Sequence, residues 1–172
     1  MKNSAVRYGL LGAVAVVFYF VLLYVARKDQ FLNPWFQWAS MVIYLVFMVK
    51  SADEDMRQRG QARDFREMVR SPFVTFLLIN LGYWLFYYGL HLYDPSLLYD
   101  EMLLEKNALQ AQLQAGAGDP DQANRLRERV QELEHLLQTG VKQSLGPVIT
   151  RMGMGALGGF ALAAGIVAIR RK

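Results

Sequence analysis

The chain alternates between long apolar runs and strongly polar segments. Apolar runs occupy about 8–26, 34–50 and 72–92, and a fourth lies within 144–172, between Arg151 and the basic C-terminus. A membrane core of about 30 Å is crossed by about 20 helical residues, because each residue adds about 1.5 Å. The pattern therefore predicts an all-α polytopic membrane protein with four transmembrane helices.

The first run is predicted to be a retained span and not a cleaved signal peptide. It carries no charged residue from Tyr8 to Ala26, whereas the apolar part of a signal peptide covers only about 7–15 residues. The end of the run, Tyr24-Val25-Ala26, also lacks the pattern of small residues at which signal peptides are cleaved.

The second run is the shortest of the four. Asn33 is predicted to cap its helix, and Pro34 suits the first turn, where a missing N–H costs no hydrogen bond. Trp35 is of the type that collects at membrane interfaces, and Lys50 can extend its amine to the opposite interface. We expect the helix to continue into water as far as a stop at Gly60.

A short charged segment at 62–70 precedes the third run. It places Phe65, Met68 and Val69 at helical spacing, with arginines interleaved. This pattern predicts a short amphipathic helix that lies at the membrane interface. Two acidic residues dilute its charge, so we expect it to anchor the third span and not to recognise anionic lipid.

The segment 94–143 is polar and rich in helix-forming residues. Asp94 followed by Pro95, and Asp119 followed by Pro120, predict the starts of two helices. The glycines in 116–118 separate them, and Gly140 can close the second. The segment therefore predicts an extramembrane helical hairpin between the third and fourth spans, which divides the chain into 1–93, 94–143 and 144–172.

Each arm of this hairpin carries an apolar stripe. In the second arm the stripe recurs at spacings of four, three and four, which is typical of a coiled-coil seam. Its residues are Leu126, Val130, Leu133 and Leu137. The first arm has a comparable stripe in Leu98, Met102, Leu109 and Leu113. We expect the two stripes to pack on each other, and contact with a partner is the alternative.

Basic residues predict the orientation of the spans. With four spans, both termini share one face, together with the loop between the second and third spans. That face carries the larger number of Lys and Arg residues close to the spans. Since cytoplasmic loops are enriched in these residues, we expect both termini in the cytoplasm and the hairpin on the outer face.

Composition restricts the chemistry that the chain can perform. The formal charge is +4, but most basic residues stand at the ends of apolar runs, where they indicate topology and not nucleic-acid binding. Cysteine is absent, and His91 and His135 lie far apart in the sequence. We therefore expect no disulfide, no metal site and no nucleic-acid partner.

Small residues in the last span are candidates for helix packing. They form one GxxxG pair and a second pair with the same spacing, and they are Gly155, Gly159, Ala161 and Gly165. Small residues let helix backbones approach closely in lipid, either within the bundle, which we favour, or in an oligomer. Asn80, a strongly polar residue deep in the third span, is predicted to donate a hydrogen bond between helices.

The spans contain none of the patterns expected of an enzyme or an ion-coupled transporter. No Asp, Glu, Lys or Arg lies inside the four apolar stretches, although ion-coupled transporters normally keep such groups at depth. The glycines of the last span lack the Gly-Lys-Ser/Thr ending of a phosphate loop. We therefore predict no enzymatic activity, no cofactor and no small-molecule ligand that the sequence identifies.

Several short motifs resemble one family when they are taken in order. They are Tyr8-Gly9-Leu10, Leu32-Asn33-Pro34, Asp64-Phe65-Arg66-Glu67 and Asp94-Pro95-Ser96-Leu97, ahead of a glycine-rich last span. The order is similar to that of the bacterial four-span membrane family catalogued as domain of unknown function 4199. The resemblance covers nearly the whole chain and implies a multi-pass protein of the bacterial inner membrane. It implies no activity and no site residues, and the hairpin here is unusually rich in Gln and Leu.

These observations favour a non-enzymatic scaffold or accessory subunit. Its partners would be the lipid bilayer and a second membrane protein or a further copy of the same chain. The alternative is a small oligomeric transporter or channel, which requires water to reach polar positions around Asn80.

Overall fold

Every regular element among the residues that the structure describes is helical. The computed structural model covers residues 4–59, 64–116, 119–140 and 144–170. Its α-helices are α1 (Ser4–Ala26), α2 (Pro34–Ala39), α3 (Met41–Arg59), α4 (Phe65–Tyr93), α5 (Ser96–Gln114), α6 (Pro120–Thr139) and α7 (Leu145–Arg170). A single 3-10 turn, Lys28–Gln30, connects α1 to α2. The predicted all-α class is confirmed.

Four stretches of helix are long and apolar enough to cross a membrane. They are Ser4–Ala26, Pro34–Gln58, Phe65–Tyr93 and Leu145–Arg170. Each contains one of the four predicted apolar runs, so the prediction of four candidate spans is confirmed.

The second candidate span is made of two helices. Asn33 accepts a hydrogen bond from the backbone N–H of Trp35 at 3.0 Å, with Pro34 at the first helical position, as predicted. The sequence predicted one helix over 34–50, but the structure separates α2 from α3 at Ser40, whose hydroxyl donates to the carbonyl of Gln37 at 2.7 Å. Such a local bond gives the backbone an alternative to continuing the helix. The predicted stop at Gly60 lies outside the described residues.

The third candidate span and the segment before it form one helix. The sequence predicted a separate short helix at 62–70, but α4 runs without a break from Phe65 through Pro72 to Tyr93, and 62–63 lie outside the described residues. A proline inside a helix removes one backbone hydrogen bond. Packing on both sides of Pro72 offsets this loss, because Met68, Val69 and Phe76 are all buried.

The chain divides into two compact units. The first, which we call the span unit, comprises residues 1–87 and 145–172, and the second, the hairpin unit, comprises 88–144. Helix α4 therefore contributes most of its length to the span unit and its last turns to the hairpin unit.

Within the span unit, α1 approaches α4 at two glycines. A β-carbon added to Gly9 would lie 2.6 Å from Cδ1 of Leu78, and one added to Gly12 would lie 2.5 Å from Cδ1 of Ile79. Both distances are too short for any real side chain. Glycine is therefore required at these positions by the close approach of the two helices.

The start of α1 and the last residue of α7 both lie beside the C-terminal end of α3. Arg7, near the start of α1, lies 3.8 Å from Glu54, and Arg170, the last residue of α7, lies 3.4 Å from Asp53. The acidic residues at the end of α3 thus pair with basic residues from both neighbouring termini. We call this end of the span unit the terminal end, and the other the loop end.

Candidate functional site

A lateral cleft of about 640 Å³ lies between helices of the span unit. Its walls come from α2 and the start of α3, from α4, and from the middle of α7. Pockets of about 300–1,000 Å³ are typical of small-molecule sites. We refer to this feature as the lateral cleft.

The lateral cleft changes from polar to apolar along its length. Near the loop end it is lined by Gln37, Ser40 and Arg151. Nearer the middle of the span unit the lining includes Tyr44 and Phe76, whose ring centroids lie 5.2 Å apart. No acidic residue lines the cleft among the residues that the structure describes. The cleft therefore offers one cationic end and one apolar end.

Two aromatic residues stand between these ends. Trp38 is 70 % exposed, while Trp84 is half-buried and packs edge-on against Tyr83 with 5.1 Å between ring centroids. The hydroxyl of Tyr83 donates to the side-chain oxygen of Gln37 at 3.1 Å. The Gln37 amide in turn donates to the carbonyl of Phe31 at 2.9 Å, in the segment before α2. The bond from Tyr83 therefore joins α2 to α4.

The predicted packing residues of α7 fall on two different faces. Gly159 is buried, and a β-carbon added there would lie 2.2 Å from Cδ1 of Phe76 on α4. Gly155 faces the Asn80 side chain at 3.5 Å. Ala161 and Gly165 are exposed, and Gly165 has open space around it. The structure thus brings the GxxxG pair against α4, whereas Ala161 lines the lateral cleft and only Gly165 of the second pair faces open space.

Asn80 lies at the contact between α4 and α7. It is 6 % exposed, and its amide nitrogen donates to the carbonyl of Met152 at 3.2 Å. Because α7 has a glycine opposite this side chain, the amide can reach a backbone oxygen of the neighbouring helix. Its placement matches the interhelical hydrogen bond that the sequence predicted.

A buried hydroxyl cluster near the terminal end was not found by sequence reasoning. Thr75 donates to the hydroxyl of Ser51 at 2.8 Å, and the hydroxyls of Ser51 and Ser71 lie 2.8 Å apart. The hydroxyl of Ser4 reaches that of Ser71 at 3.5 Å, so the cluster connects α1, α3 and α4. The sequence contains one indication of this cluster, which is the spacing of four residues that puts Ser71 and Thr75 on one helix face. The sequence could not show which residues of other helices would face them.

In the hairpin unit, the apolar stripe of α6 is directed inward. Val130 and Leu133 are buried, and Leu126 and Leu137 are half-buried. Helix α5 packs against α6, and its own predicted stripe, Leu98, Met102, Leu109 and Leu113, is also half-buried. The two stripes therefore meet in the helix pair, which agrees with the favoured interpretation of the sequence.

Ion pairs flank this apolar seam. Lys106 lies 3.5 Å from Glu134, and Arg129 lies 2.9 Å from Glu105 across the pair and 2.7 Å from Glu132 on its own helix. Hydrogen bonds to Glu132, and then to Glu105, raise the pKa of the Arg129 guanidinium above its usual range. Arg129 therefore remains charged at every physiological pH, and these bonds fix the register of the two helices.

The start of α6 follows the predicted capping chemistry, whereas α5 begins one residue later than predicted, with Pro95 at the cap position and no side-chain cap bond. The Asp119 side chain accepts from the N–H of Asp121, with Pro120 at the first position of α6. Asp94 accepts from both the N–H and the hydroxyl of Ser96 at the start of α5. Gly140 closes α6 with a φ of 83°, a value that favours glycine. Ala117 and Gly118, between the helices, lie outside the described residues.

The outer face of α5 carries a second apolar strip that sequence reasoning missed. Leu104, Ala108, Ala111 and Ala115 recur at spacings of four, three and four, and all four are exposed. The leucine pattern on the opposite face of α5 is stronger, so the sequence analysis recognised that pattern and not this strip. We call these four residues the outer strip.

The described residues contain no group of three His, Cys, Asp or Glu side chains placed to hold a metal ion. No family model, curated protein or solved structure matches this chain. Its resemblance to the four-span family therefore stays a prediction.

Proposed function

We propose that this chain is an integral membrane protein that acts as a non-enzymatic scaffold or accessory subunit. Its contact surfaces would be the hairpin unit and the outer face of its spans. The observation that supports this proposal best is the outer strip of α5, which remains exposed after the leucine stripes have packed on each other.

The outer strip has the geometry of a helix-binding seam. A spacing of four, three and four keeps its residues on one face of α5, as in the seam of a coiled coil. Leu104 is 53 % exposed and could enter a hole on a partner helix. The three alanines beside it have almost no bulk, so a partner backbone could approach α5 closely. A helical segment of another membrane protein is therefore the partner that this face fits best.

We further propose that the hairpin unit lies outside the bilayer, on the outer face, with both termini in the cytoplasm. The polar and charged surface of α5 and α6 supports the first part, and the basic residues near the terminal end support the second. A single cysteine at Gln114 should react with a membrane-impermeant maleimide in intact cells. One at Gln58, near the end of α3, should react only after the cells are opened. The reverse pattern would overturn the orientation.

Co-purification in mild detergent tests the scaffold function directly. We expect a stoichiometric partner with the unaltered chain, and loss of that partner in the double variant Ala108→Glu/Ala111→Glu, which puts two charges into the seam. The matched control is Gln112→Glu/Gln114→Glu, which adds the same charges to exposed positions beside the strip. A chain that purifies alone as a stable monomer, or partner loss in both variants, would contradict the proposal.

A further inference from the structure

We infer that the lateral cleft is a binding site for a membrane lipid with an anionic headgroup. The headgroup would lie at Arg151 and one acyl chain would extend into the apolar part of the cleft. This inference is independent of the scaffold function, because it concerns the span unit alone and needs no protein partner.

The distribution of charge in the cleft points to an amphiphile with a negative end. Arg151 contributes a positive charge, and Gln37 and Ser40 add polar groups close to the same end. Among the described residues, no carboxylate lines the cleft. An arginine guanidinium binds phosphate oxygens through its charge and through paired hydrogen bonds. A lipid supplies both an anionic group for Arg151 and an apolar chain for the rest of the cleft.

The depth of the cleft fits an acyl chain. Below Arg151, the wall formed by α7 includes Gly155, Gly158 and Gly159 and therefore presents almost bare backbone. The opposite wall includes Tyr44 and Phe76, which give a continuous apolar surface. A β-carbon added to Gly158 would meet nothing within 4 Å, so the space in front of this residue is empty of protein atoms.

The position of the two tryptophans agrees with a lipid bound in this orientation. Trp38 and Trp84 line the cleft near its polar end. Indole rings favour the level of lipid headgroups, where one edge is apolar and the other is wet.

Quenching of tryptophan fluorescence by lipids with brominated chains tests this site. Trp35, which is 83 % exposed and does not line the cleft, is first replaced by phenylalanine, so that only Trp38 and Trp84 report. The purified chain is placed in phosphatidylcholine vesicles that contain brominated phosphatidylglycerol or brominated phosphatidylcholine as a minor component. We expect the anionic lipid to quench at about fivefold lower mole fraction, since one basic contact contributes about that factor.

Two variants with matched controls locate the lipid. Gly158→Leu should fill the cleft and remove the excess quenching by the anionic lipid over phosphatidylcholine, whereas Gly153→Leu, on the same helix with open space and away from the cleft, should leave that excess unchanged. Arg151→Gln should abolish the preference for the anionic lipid. Arg27→Gln, which removes a charge at the same end of the span unit but away from the cleft, should preserve it.

Three results would overturn the inference. Equal quenching by both brominated lipids would show ordinary contact with the bilayer. Unchanged quenching in Gly158→Leu would place the acyl chain elsewhere. An equal loss of preference in Arg27→Gln and Arg151→Gln would show that surface charge alone attracts the lipid. Far-UV circular dichroism of each variant confirms that its helices are retained.

Discussion

In the span unit, helices approach where glycine removes the side chain, whereas in the hairpin unit leucines fill the space between two backbones. Gly9, Gly12 and Gly159 each face a large side chain of α4 at a distance that excludes a β-carbon. In the helix pair, Leu133 is fully buried and ion pairs flank the seam. Both units are all helical, yet they are stabilised in opposite ways.

The difference is the one expected if the span unit lies in lipid and the hairpin unit in water, as we propose. In water, burying a leucine is favourable because its apolar surface leaves water. In lipid that gain disappears, since the acyl chains are as apolar as leucine, and close packing and hydrogen bonds between helices are left to drive association. The glycines, Asn80 and the hydroxyl cluster supply these contacts in the span unit. Four substitutions test whether the two units obey these different rules.

The largest effect is expected from Leu133→Ala in the hairpin unit. Truncating a fully buried leucine leaves a cavity and costs about 2–5 kcal/mol. Hydrogen exchange of the full-length protein should show faster exchange of the α6 amides, with those of α1 unchanged. Leu104→Ala, at a 53 % exposed position of the same pair, is the control and should leave exchange nearly unaltered. Equal effects of the two variants would show that the seam is not buried as described.

Gly159→Leu should give the next largest effect, in the span unit. The added side chain would collide with Phe76, and overpacking of this kind costs about 1–3 kcal/mol. Thermal unfolding in detergent, followed by circular dichroism, measures the loss. Gly165→Leu adds the same side chain to the same helix where nothing lies within 4 Å, and the melting temperature should hardly change. A larger loss in Gly165→Leu would place the packing face on the other side of α7.

Asn80→Leu is expected to destabilise the span unit by about 0.6–1.7 kcal/mol, the range of hydrogen bonds between membrane helices. The lost bond is the one to the carbonyl of Met152. Thermal unfolding in detergent measures the loss.

The variant Asn80→Leu also tests the alternative of a transporter or channel. The flux of small solutes across the membrane of vesicles that contain the protein should be the same for the unaltered protein and for Asn80→Leu. A flux that depends on Asn80 would favour the transport function and count against a scaffold.

The smallest effect is expected from Arg129→Gln. Its ion pairs with Glu105 and Glu132 are partly exposed, and such pairs contribute about 0.2–1 kcal/mol. Exchange of α6 amides should accelerate slightly in dilute salt and less in concentrated salt, because ions screen exposed charges. Arg125→Gln, on the same helix with an exposed side chain, serves as the reference. A change in exchange rate that is the same at both salt concentrations would show that the aliphatic part of Arg129 stabilises the pair by packing.

Features that depend on neighbouring residues could be predicted from the sequence. The caps at Asn33, Asp119 and Gly140 were predicted correctly, because each depends on a residue type and one adjacent proline or turn. The four apolar runs were also predicted, since length and composition alone identify a candidate span. These rules need no knowledge of the partner helices.

Features that depend on which helices meet could not be predicted. Nothing in the chain near Ser51 indicates that its hydroxyl faces Thr75, because 24 residues separate them. Nor did it show that Pro72 would lie inside α4, since buried packing on both sides offsets its missing hydrogen bond. The lateral cleft could not be predicted for the same reason, because it lies between helices that are distant in the sequence.

The short uncharged stretch of the second candidate span has a consequence for the bilayer itself. From Pro34 to Val49 this stretch is only sixteen residues, and Lys50 is exposed. Sixteen helical residues extend about 24 Å, about 6 Å less than the hydrocarbon thickness of an ordinary membrane. Hydrophobic mismatch of this size is relieved by tilt or by local thinning of the bilayer. The protein should therefore draw the two leaflets together beside the second span and favour thin membranes over thick ones.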